Sequence, residues 1–401
     1  MALLSVEKAL QHILDGVSPT EPQSVAIEQA HGRVLAQPLQ ARVTQPPFNS
    51  SAMDGYAVRI ADMAQLPATL AVIGEAAAGH PFSGTVGKGQ AVRIFTGAPV
   101  PEGADAIVIQ EDTDRDGAKV VVRDGKPETG HIRTRGFDFR EGDTLLAAGR
   151  RLGPRAISLA AAMGHGEVSV RRRPMVAILS TGDELVTPGT RLGPGQITAS
   201  NHLGIAALVE TAGAAVRQLG IARDTRADLA SHFARAEDAD VIVTSGGASV
   251  GDHDLVGPVL QDRGMSLDFW NIAMRPGKPV MFGRLGGTRV LGLPGNPVSS
   301  LICTRIFLLP LIRALLGQPA SSETLVQARL SVPLEANGPR AHYMRAFSQP
   351  GPDGYPLVAP VRSQDSSLLA PLAEADCLLV RVPGAPAAPA GTLVSILPLD
   401  F

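Results

Sequence analysis

The chain has 401 residues, of which 44% are hydrophobic and 18% are charged, and its formal net charge is −2. This length predicts two to four domains at about 150 residues each, and the apolar content excludes a globally disordered chain. With 4% aromatic residues and no excess of basic ones, the composition argues against a nucleic-acid partner, while 43 glycines and 32 prolines indicate many tight turns.

Three features of the sequence predict the compartment. The first residues lack the basic and apolar regions of a secretory signal. The apolar stretch 301–316 is short for a membrane span, carries two arginines and contains Pro310, which favours a buried helix. Cys303 and Cys377 lie far apart in apolar surroundings, as is typical of buried thiols in a reducing compartment. We therefore expect a cytoplasmic protein with no membrane partner.

The first 170 residues combine a helix with a β-rich module. Apolar residues on one face of 6–17, with Ser5 as N-cap, predict an amphipathic helix. Short alternating runs, separated by Gly and Pro, lie at 91–94, 106–109 and 119–122. The basic segment 133–153 leads to a predicted short helix at 155–163. We interpret this segment as a linker or as a return to the N-terminal layer.

From residue 171 the pattern changes to alternating strands and helices. Apolar strands are predicted at 175–180, 216–222, 241–244 and 267–273. Helices are predicted between them at 202–212, 228–238 and 255–262. This alternation predicts a parallel, doubly wound sheet. A long helix at 297–317 closes the domain, and residues 321–401 predict a small β-barrel or sandwich.

Two glycine-containing loops follow strands at the edge where open α/β sheets bind ligands. Gly182, Asp183 and Glu184 follow the first strand, and the segment 245–254 places a Gly/Ser loop and then acids after the third. Backbone N–H groups in such loops bind anions, and carboxylates beside them suit Mg²⁺. Together they predict a site for a phosphorylated ligand with Mg²⁺. Each loop alone is equally explained as a tight turn or a helix cap.

Further loops are candidates for the same site. Arg275 and Lys278 flank a Pro-Gly turn after the last predicted strand and offer positive charge to an oxyanion or phosphate. The segment 294–297 opens the long helix, whose N-terminal N–H groups favour anions. Asp54 and Thr96 lie in polar loops of the β-rich module. Ordinary turns and hairpin loops are the alternative interpretation for all of these segments.

Six segments together resemble the molybdopterin molybdenumtransferase family, known as MoeA in bacteria and as the E domain of gephyrin. Between positions 51 and 299, and in family order, they read SAMDGYAV, TGAPVPEGADA, STGDEL, SGGASVGDHD, RPGKP and GLPGNPVS. The N-terminal helix and the β-rich C-terminal region also agree with the family. The resemblance therefore covers essentially the whole chain.

The resemblance implies a multidomain α/β plus β fold in four parts. These are a discontinuous N-terminal linker domain (1–44 and 138–170), a β-rich inserted domain (45–137), a MogA-like, doubly wound α/β domain that binds molybdopterin (171–320), and a C-terminal β-barrel domain (321–401). It also implies a homodimer whose active site lies between the α/β domain of one subunit and the β-rich domain of the other. The implied reaction inserts molybdate into adenylylated molybdopterin with Mg²⁺ and gives molybdenum cofactor and AMP.

The resemblance also implies residue roles. Catalytic residues would be Asp54, Thr96, Glu184, Asp254, Arg275 and Lys278, and metal ligands would be Glu184, Asp224 and Asp254. Binding of molybdopterin and adenylate would involve Ser180, Thr181, Gly182, Asp183, Asn201, Ser245, Gly246, Gly247, Gly251, Pro294, Gly295, Asn296 and Pro297, together with Arg133 and Asp138. The chain departs from the family pattern at Asn49, Ala199 and Arg275, where the family commonly has Asp, an acid and Lys, respectively.

Two other functions stay open from the sequence. A molybdopterin adenylyltransferase is one, because the α/β domain resembles both groups, and a molybdopterin-binding scaffold or storage protein without turnover is the other. The β-rich modules argue against the first, and the joint presence of Asp54, Glu184 and Asp254 argues against the second. Expected partners are small-molecule substrates, a second copy of the chain, a molybdopterin adenylyltransferase and molybdoenzyme apoproteins.

Overall fold

The chain divides into two compact units in a computed structural model that describes residues 3–123, 129–247, 255–319 and 325–399. Unit 1 consists of Met1–Gln23, Gly32–Ala36 and Val170–Phe401, and unit 2 consists of Ser24–His31 and Gln37–Ser169. The predicted class, a multidomain α/β plus β fold, is confirmed by the three sheets described below. The four-domain boundaries stay a prediction.

Unit 2 is built on a six-stranded sheet. Its strands are β1 (Gly55–Val58), β2 (Ala68–Ala76), β3 (Gln90–Ile94), β4 (Ala106–Ile109), β5 (Thr113–Asp116) and β6 (Lys119–Val122), in the spatial order β4-β1-β3-β2-β6-β5. The runs at 91–94, 106–109 and 119–122 are confirmed as strands. The loop that contains Asp54 ends at Gly55, where β1 begins, and Tyr56, Ala57 and Val58 are buried in this strand between two neighbouring strands.

Shorter elements complete unit 2. Helix α2 (Pro154–Ala162) begins with Pro154 at its first turn, where the missing N–H costs nothing. Short antiparallel pairs join Leu39–Gln40 to Thr144–Leu146 and Ser50–Ser51 to Ile132–Arg133. Single 3₁₀ turns lie at Ile27–Gln29, Ile60–Met63, Gln110–Asp112 and Thr129–His131. The Ser50–Ser51 pair places Arg133 beside the loop that precedes Asp54.

Unit 1 contains the α/β sheet. Its strands are β7 (Met175–Thr181), β8 (Ala215–Ala222), β9 (Val241–Ser245), β10 (Ser266–Trp270), β11 (Met281–Leu285) and β12 (Thr288–Leu293), in the order β8-β7-β9-β12-β11-β10. The first four strands in this order are parallel, as predicted. Strand β11 is antiparallel to both of its neighbours, contrary to the predicted all-parallel sheet, because a Gly286-Gly287 turn joins it to β12 as a hairpin.

Helices cover both faces of this sheet. They are α1 (Val6–Leu14), α3 (Asn201–Thr211), α4 (Arg226–Ala234) and α5 (Val256–Asp262). Along β7, Val176 and Ile178 pack in the core with α1 and α3, whereas Ala177 and Leu179 pack in the core with α4 and α5. A strand buried on both faces explains the continuous apolar run seen in the sequence. The Ser5 hydroxyl accepts a hydrogen bond from the N–H of Lys8, which confirms the predicted N-cap.

The long helix after β12 is interrupted. It consists of α6 (Pro297–Cys303), a π-helical turn (Thr304–Leu308) and α7 (Leu309–Leu315). Pro310 has no N–H and would clash with the preceding helical turn, and the wider π turn accommodates it. Within the described residues this is the one helix long and apolar enough to cross a membrane, and 83% of its most apolar stretch is buried. The predicted buried core helix is confirmed.

The C-terminal part of unit 1 is a closed barrel. Its strands are β13 (Val326–Leu330), β14 (Ala341–Gln349), β15 (Leu357–Pro360), β16 (Cys377–Arg381) and β17 (Leu393–Pro398), and α8 (Ala370–Glu374) precedes β16. The ring β14-β15-β13-β17-β16 closes because β16 also pairs with β14. The short strand Met274–Arg275 adds to the outer side of β14. Closure decides between the barrel and the sandwich that the sequence left open.

Candidate functional site

A cleft of about 740 Å³ opens at the carboxyl edge of the α/β sheet. The predicted site residues that line it are Ser180, Thr181, Gly182, Glu184, Asn201, Asp224, Ser245, Gly246, Gly247, Pro294, Gly295, Asn296 and Pro297. Except for Asn201, which lies at the start of α3, they are at or just after the ends of β7, β8, β9 and β12, which lie at one edge because these four strands are parallel. The structure therefore brings the separate sequence motifs of unit 1 together.

The turn after β9 requires glycine. Gly246 and Gly247 have positive φ values of 93° and 62°. A Cβ on Gly246 would lie 2.6 Å from the carbonyl oxygen of Thr181, and one on Gly247 would overlap the side chain of Val256. The Thr181 hydroxyl is buried beside this turn and has no hydrogen-bond partner among the described residues. The turn thus presents backbone without side chains, next to one hydroxyl that lacks a hydrogen-bond partner among the described residues. Such a surface suits an anionic ligand.

Two side-chain amides hold the cleft walls together. Nδ2 of Asn201, at the start of α3, donates to Ser245 Oγ at 2.9 Å and to the Gly295 carbonyl at 2.7 Å. Nδ2 of Asn296 donates to Ser366 Oγ at 2.9 Å. Both N–H groups of the Asn201 amide are therefore used within the protein, so that contact with a ligand, as predicted, would involve its other atoms. The Asn296 amide makes one such bond and keeps a second N–H for a ligand.

Three carboxylates gather at one end of the cleft. Glu184 and Asp224 line it, and the N–H of Asp224 donates to Oδ1 of Asp183 at 3.2 Å. Partial burial, followed by the negative charges of Asp183 and Glu184, raises the pKa of the Asp224 carboxyl. No group of three metal-binding side chains within one ion's reach exists among the described residues. Predicted residues Gly251 and Asp254 lie outside the described residues.

Arg275 and Lys278 are exposed and do not line the cleft, although Pro279, the residue after Lys278, does. Arg275 is paired in register with His342 of the barrel. Burial, and then the charges of Arg275, Arg340 and Arg381, lower the pKa of His342 to about 4, so this histidine is neutral at pH 7. The same positive charge favours an anion near Arg275. The structure therefore places the two predicted cations beside the cleft rather than in it.

In unit 2, Asp54 and Thr96 form a direct pair. The N–H and the hydroxyl of Thr96 both donate to Oδ1 of Asp54, each at 2.7 Å. These two hydrogen bonds, together with the charge of Arg93, hold the pKa of the Asp54 carboxyl below its ordinary value. Arg133 and Asp138 are exposed, and the N–H of Asp138 donates to the Gln45 carbonyl. The structure therefore brings the predicted residues Asp54 and Thr96 into direct contact, and their role in a shared site stays a prediction.

The chain is similar to known proteins over its full length. Family models for the MoeA N-terminal region (domains I and II), a probable molybdopterin-binding domain and the MoeA C-terminal region (domain IV) match residues 4–164, 177–314 and 327–399. A molybdopterin molybdenumtransferase from Haemophilus influenzae is 36% identical, with 99% of each chain covered. The chain belongs to the MoeA family. The family predicted from the six motifs is confirmed.

Other MoeA relatives agree. Molybdopterin molybdenumtransferase 2 from Mycobacterium tuberculosis is 39% identical over 86% of this chain and 87% of its own. The crystal structure of a molybdopterin biosynthesis MoeA protein from Pyrococcus horikoshii covers 100% of both chains at 29% identity, with a TM-score of 0.83. This likeness confirms the predicted fold class, and the relatives' names confirm the predicted enzyme class and the place in molybdenum cofactor biosynthesis.

Other residues line the cleft of this MoeA family member without being predicted as site residues. They are Leu185, Ile197, Thr198, Ser200, Leu255, Val256, Pro279 and Ser367, and they are joined by Ala199, which the sequence marks only as a departure from the family pattern. Ser367 arrives from the barrel on a turn in which its N–H and hydroxyl donate to Oδ1 of Asp365. The buried Arg345 fixes that turn by donating to the carbonyls of Ser363, Asp365 and Leu368. The Asp-x-Ser pattern, typical of such turns, was the available signal.

Two departures from the MoeA pattern have a local explanation. Oδ1 of Asn49 accepts a hydrogen bond from the N–H of Arg135 at 2.9 Å, as a carboxylate oxygen at this position would. Ala199 is buried, and its N–H donates to the Val186 carbonyl. A longer acidic side chain at position 199 would need room in this packed segment. Both substitutions are therefore compatible with the local fold.

Proposed function

We propose that this chain inserts molybdenum from molybdate into adenylylated molybdopterin, in a Mg²⁺-dependent reaction that releases AMP. The observation that carries the proposal is the cleft at the carboxyl edge of the α/β sheet, where a glycine turn and a group of carboxylates meet in a member of the MoeA family. Its volume of about 740 Å³ lies in the range of small-molecule sites.

The glycine turn accounts for binding of the phosphate groups. Gly246 and Gly247 leave their backbone open to a ligand because any side chain there would collide with Thr181 or Val256. The unsatisfied hydroxyl of Thr181 can rotate to donate to a phosphate oxygen, which would complete its hydrogen bonding.

The carboxylates fit magnesium held jointly with a substrate. Hard oxygen donors suit Mg²⁺, which proteins usually bind through one or two carboxylates plus substrate phosphates. Glu184 and Asp224 supply such donors. The pKa of the Asp224 carboxyl is raised by partial burial and then by the negative charges of Asp183 and Glu184, which a cation would offset. Bound Mg²⁺ would supply charge neutralisation for the phosphate groups.

The finer points of the proposal rest on the family resemblance. We propose a cytoplasmic homodimer in which Asp54 and Thr96 of one subunit serve the cleft of the other. Arg275 and Lys278 would attract molybdate, a dianion, by their positive charge. Arg133 and Asp138, exposed on unit 2, would contact the same substrate. A molybdopterin adenylyltransferase and molybdoenzyme apoproteins would be the protein partners.

The first test measures AMP release and cofactor formation from adenylylated molybdopterin, with and without molybdate and Mg²⁺. We expect AMP release by the purified protein to require both. Tight binding of the adenylylated ligand without AMP release in any condition would favour a scaffold or storage protein and contradict the proposal. A control with adenine-free molybdopterin and ATP distinguishes an adenylyltransferase, which would consume ATP instead.

A further inference from the structure

Asp54 is held in unit 2 by residues of strand β3 and its continuation. Thr96, just beyond the end of β3, donates twice to the Asp54 carboxylate, and the guanidinium of Arg93 on β3 binds the carbonyl of the next residue, Gly55. We propose that Arg93 is a positioning residue, which fixes the backbone of residues 54 and 55 and places a positive charge beside the Asp54 carboxylate. The inference deepens the proposed function and rests on the role given there to Asp54.

The hydrogen bonds of Arg93 converge on the backbone of Asp54 and Gly55. Nη1 donates to the Gly55 carbonyl at 3.1 Å, and Nη2 donates to Oε1 of Gln110 at 2.6 Å. The N–H of Gln110 in turn donates to the carbonyl of Asp54 at 3.1 Å. One guanidinium therefore holds both carbonyls, the first through Gln110 and the second directly. Lysine has no planar fork with which to make both bonds in this geometry.

Two aromatic rings keep the guanidinium in place. Its central carbon lies 5.2 Å from the ring centroid of Tyr56 and 4.8 Å from that of Phe95. Both distances are within the range of a cation–π contact. Tyr56 is buried in β1, and Phe95 directly precedes Thr96. The rings thus connect Arg93 to the chain on either side of the Asp54–Thr96 pair.

The backbone at Asp54 has little freedom to move in the other direction. Gly55 packs so closely on β4 that a Cβ would overlap the carbonyl oxygen of Val108. With Val108 on one side and Arg93 on the other, the direction of the Asp54 side chain is set. Its Oδ1 is used by Thr96, whereas Oδ2 has no hydrogen bond among the described residues. That oxygen is left to act on a ligand.

The charge of Arg93 acts in the same sense as the Thr96 hydrogen bonds. Both favour the ionised carboxylate. The other charged or titratable groups on the flanking elements are Tyr56 on β1, Glu111 and Asp112 after β4, and His131 and Arg133 on the segment paired with Ser50–Ser51. Among these groups Arg93 is the cation whose charge lowers the pKa of the Asp54 carboxyl, and it also binds the carbonyl of the adjacent Gly55.

The test compares Arg93→Met and Arg93→Lys in the full-length protein, with Arg123→Met as matched control. Arg123 lies in the same unit and, like Arg93, donates a hydrogen bond to a backbone carbonyl. It pairs with Asp114 and does not contact Asp54. For Arg93→Met we expect kcat to fall on the order of 10- to 100-fold with KM little changed, because a misplaced catalytic group reduces the rate by this much. The control should keep the wild-type kcat.

The pH profile separates positioning from a purely structural role. Without the positive charge the pKa of Asp54 rises, so the acidic limb of the kcat profile should move to higher pH in Arg93→Met. Arg93→Lys should return the acidic limb to its wild-type pH but should not restore the full kcat, because lysine supplies the positive charge without the two hydrogen bonds of the planar guanidinium. A fall in kcat with an unmoved limb, accompanied by a lower Tm, would show a structural role and overturn the inference.

A second readout does not depend on activity. The Asp54 carboxyl is titrated by NMR in the wild type and in Arg93→Met, with Asp54→Asn used to assign its signal. An upward shift of the Asp54 titration in Arg93→Met is the expected result, and an unchanged titration would overturn the inference alone. Full activity in Asp54→Asn would instead overturn the proposed role of Asp54, so the two failures are distinguishable.

Discussion

Asp54 in unit 2 and Asp224 in unit 1 are both predicted site acids, yet their surroundings act in opposite directions. Asp54 accepts two hydrogen bonds from Thr96 beside a cation, and its pKa is lowered. Asp224 is partly buried beside the carboxylates of Asp183 and Glu184, and its pKa is raised. The groups around Asp54 therefore stabilise its negative charge. The described groups around Asp224 instead add further negative charge.

This difference in surroundings indicates that Asp54 and Asp224 have different functions. A carboxylate whose charge is already satisfied by the protein keeps a fixed direction and an available oxygen, as an orienting or accepting group requires. A crowded group of carboxylates gains from an external cation, as a shared Mg²⁺ site requires. Replacing each acid with its amide should therefore produce different kinetic defects, which is how the contrast can be tested.

The largest effect is expected for Asp54→Asn and Glu184→Gln. Each should reduce kcat by about 10²-fold or more, because each removes a charged group from the proposed reaction site. Steady-state AMP release at saturating Mg²⁺ and molybdate measures this loss, and circular dichroism with thermal unfolding checks that the fold persists. Both acids lie at loop tips rather than in a core, so Tm should change little.

Glu237→Gln is the matched control for Glu184→Gln. Glu237 is an exposed glutamate of unit 1 that pairs with Arg263 at 3.1 Å and does not line the cleft. Its replacement should leave kcat at the wild-type level. Wild-type turnover in either Asp54→Asn or Glu184→Gln would remove that residue from the site, and a loss of turnover in Glu237→Gln would show that the assay reports general destabilisation.

The intermediate effect is expected for the Mg²⁺ dependence of Asp224→Asn. Loss of one carboxylate near the cation should raise the Mg²⁺ concentration for half-maximal AMP release by on the order of tenfold, with a smaller change in the rate at saturation. Asp54→Asn should leave that concentration unchanged. If both variants needed the same additional Mg²⁺, the division of roles between the two acids would be wrong.

The sequence predicts the parts of this site that lie next to strands. Continuous apolar runs predict β7 and β9. Glu184, after β7, and Ser245, at the end of β9, reach the cleft because parallel strands end at one edge of the sheet. Short motifs of distinctive order then identify the family. These signals are local in sequence, and both the sheet and its carboxyl edge follow from them.

Contacts that depend on distant segments were not predictable in this way. Ser367 reaches the cleft from the barrel only because Arg345 holds its turn by three backbone carbonyls. The hairpin of β11 and β12 interrupts the parallel pattern of the sheet. It follows a Pro/Gly segment that has no hydrophobic periodicity from which a strand could be predicted. The position of Arg93 between two rings likewise depends on the pairing of β3 with β1, and no spacing along the chain reveals it.

The smallest effect is expected in the pH dependence of stability. A carboxyl with a raised pKa in the folded state disfavours folding at pH values above that pKa, and this cost disappears below the pKa of the unfolded chain, near 4. Asp224 is such a group, so Asp224→Asn should raise Tm slightly at pH 7 and not at pH 3.

Asp54 has a lowered pKa, so it favours folding at neutral pH and this contribution is lost as pH falls. Asp54→Asn should therefore lower Tm slightly at pH 7, opposite in sign to Asp224→Asn. Thermal unfolding of both variants and the wild type at the two pH values measures the difference, and changes of the same sign at pH 7 would contradict the contrast between the two acids.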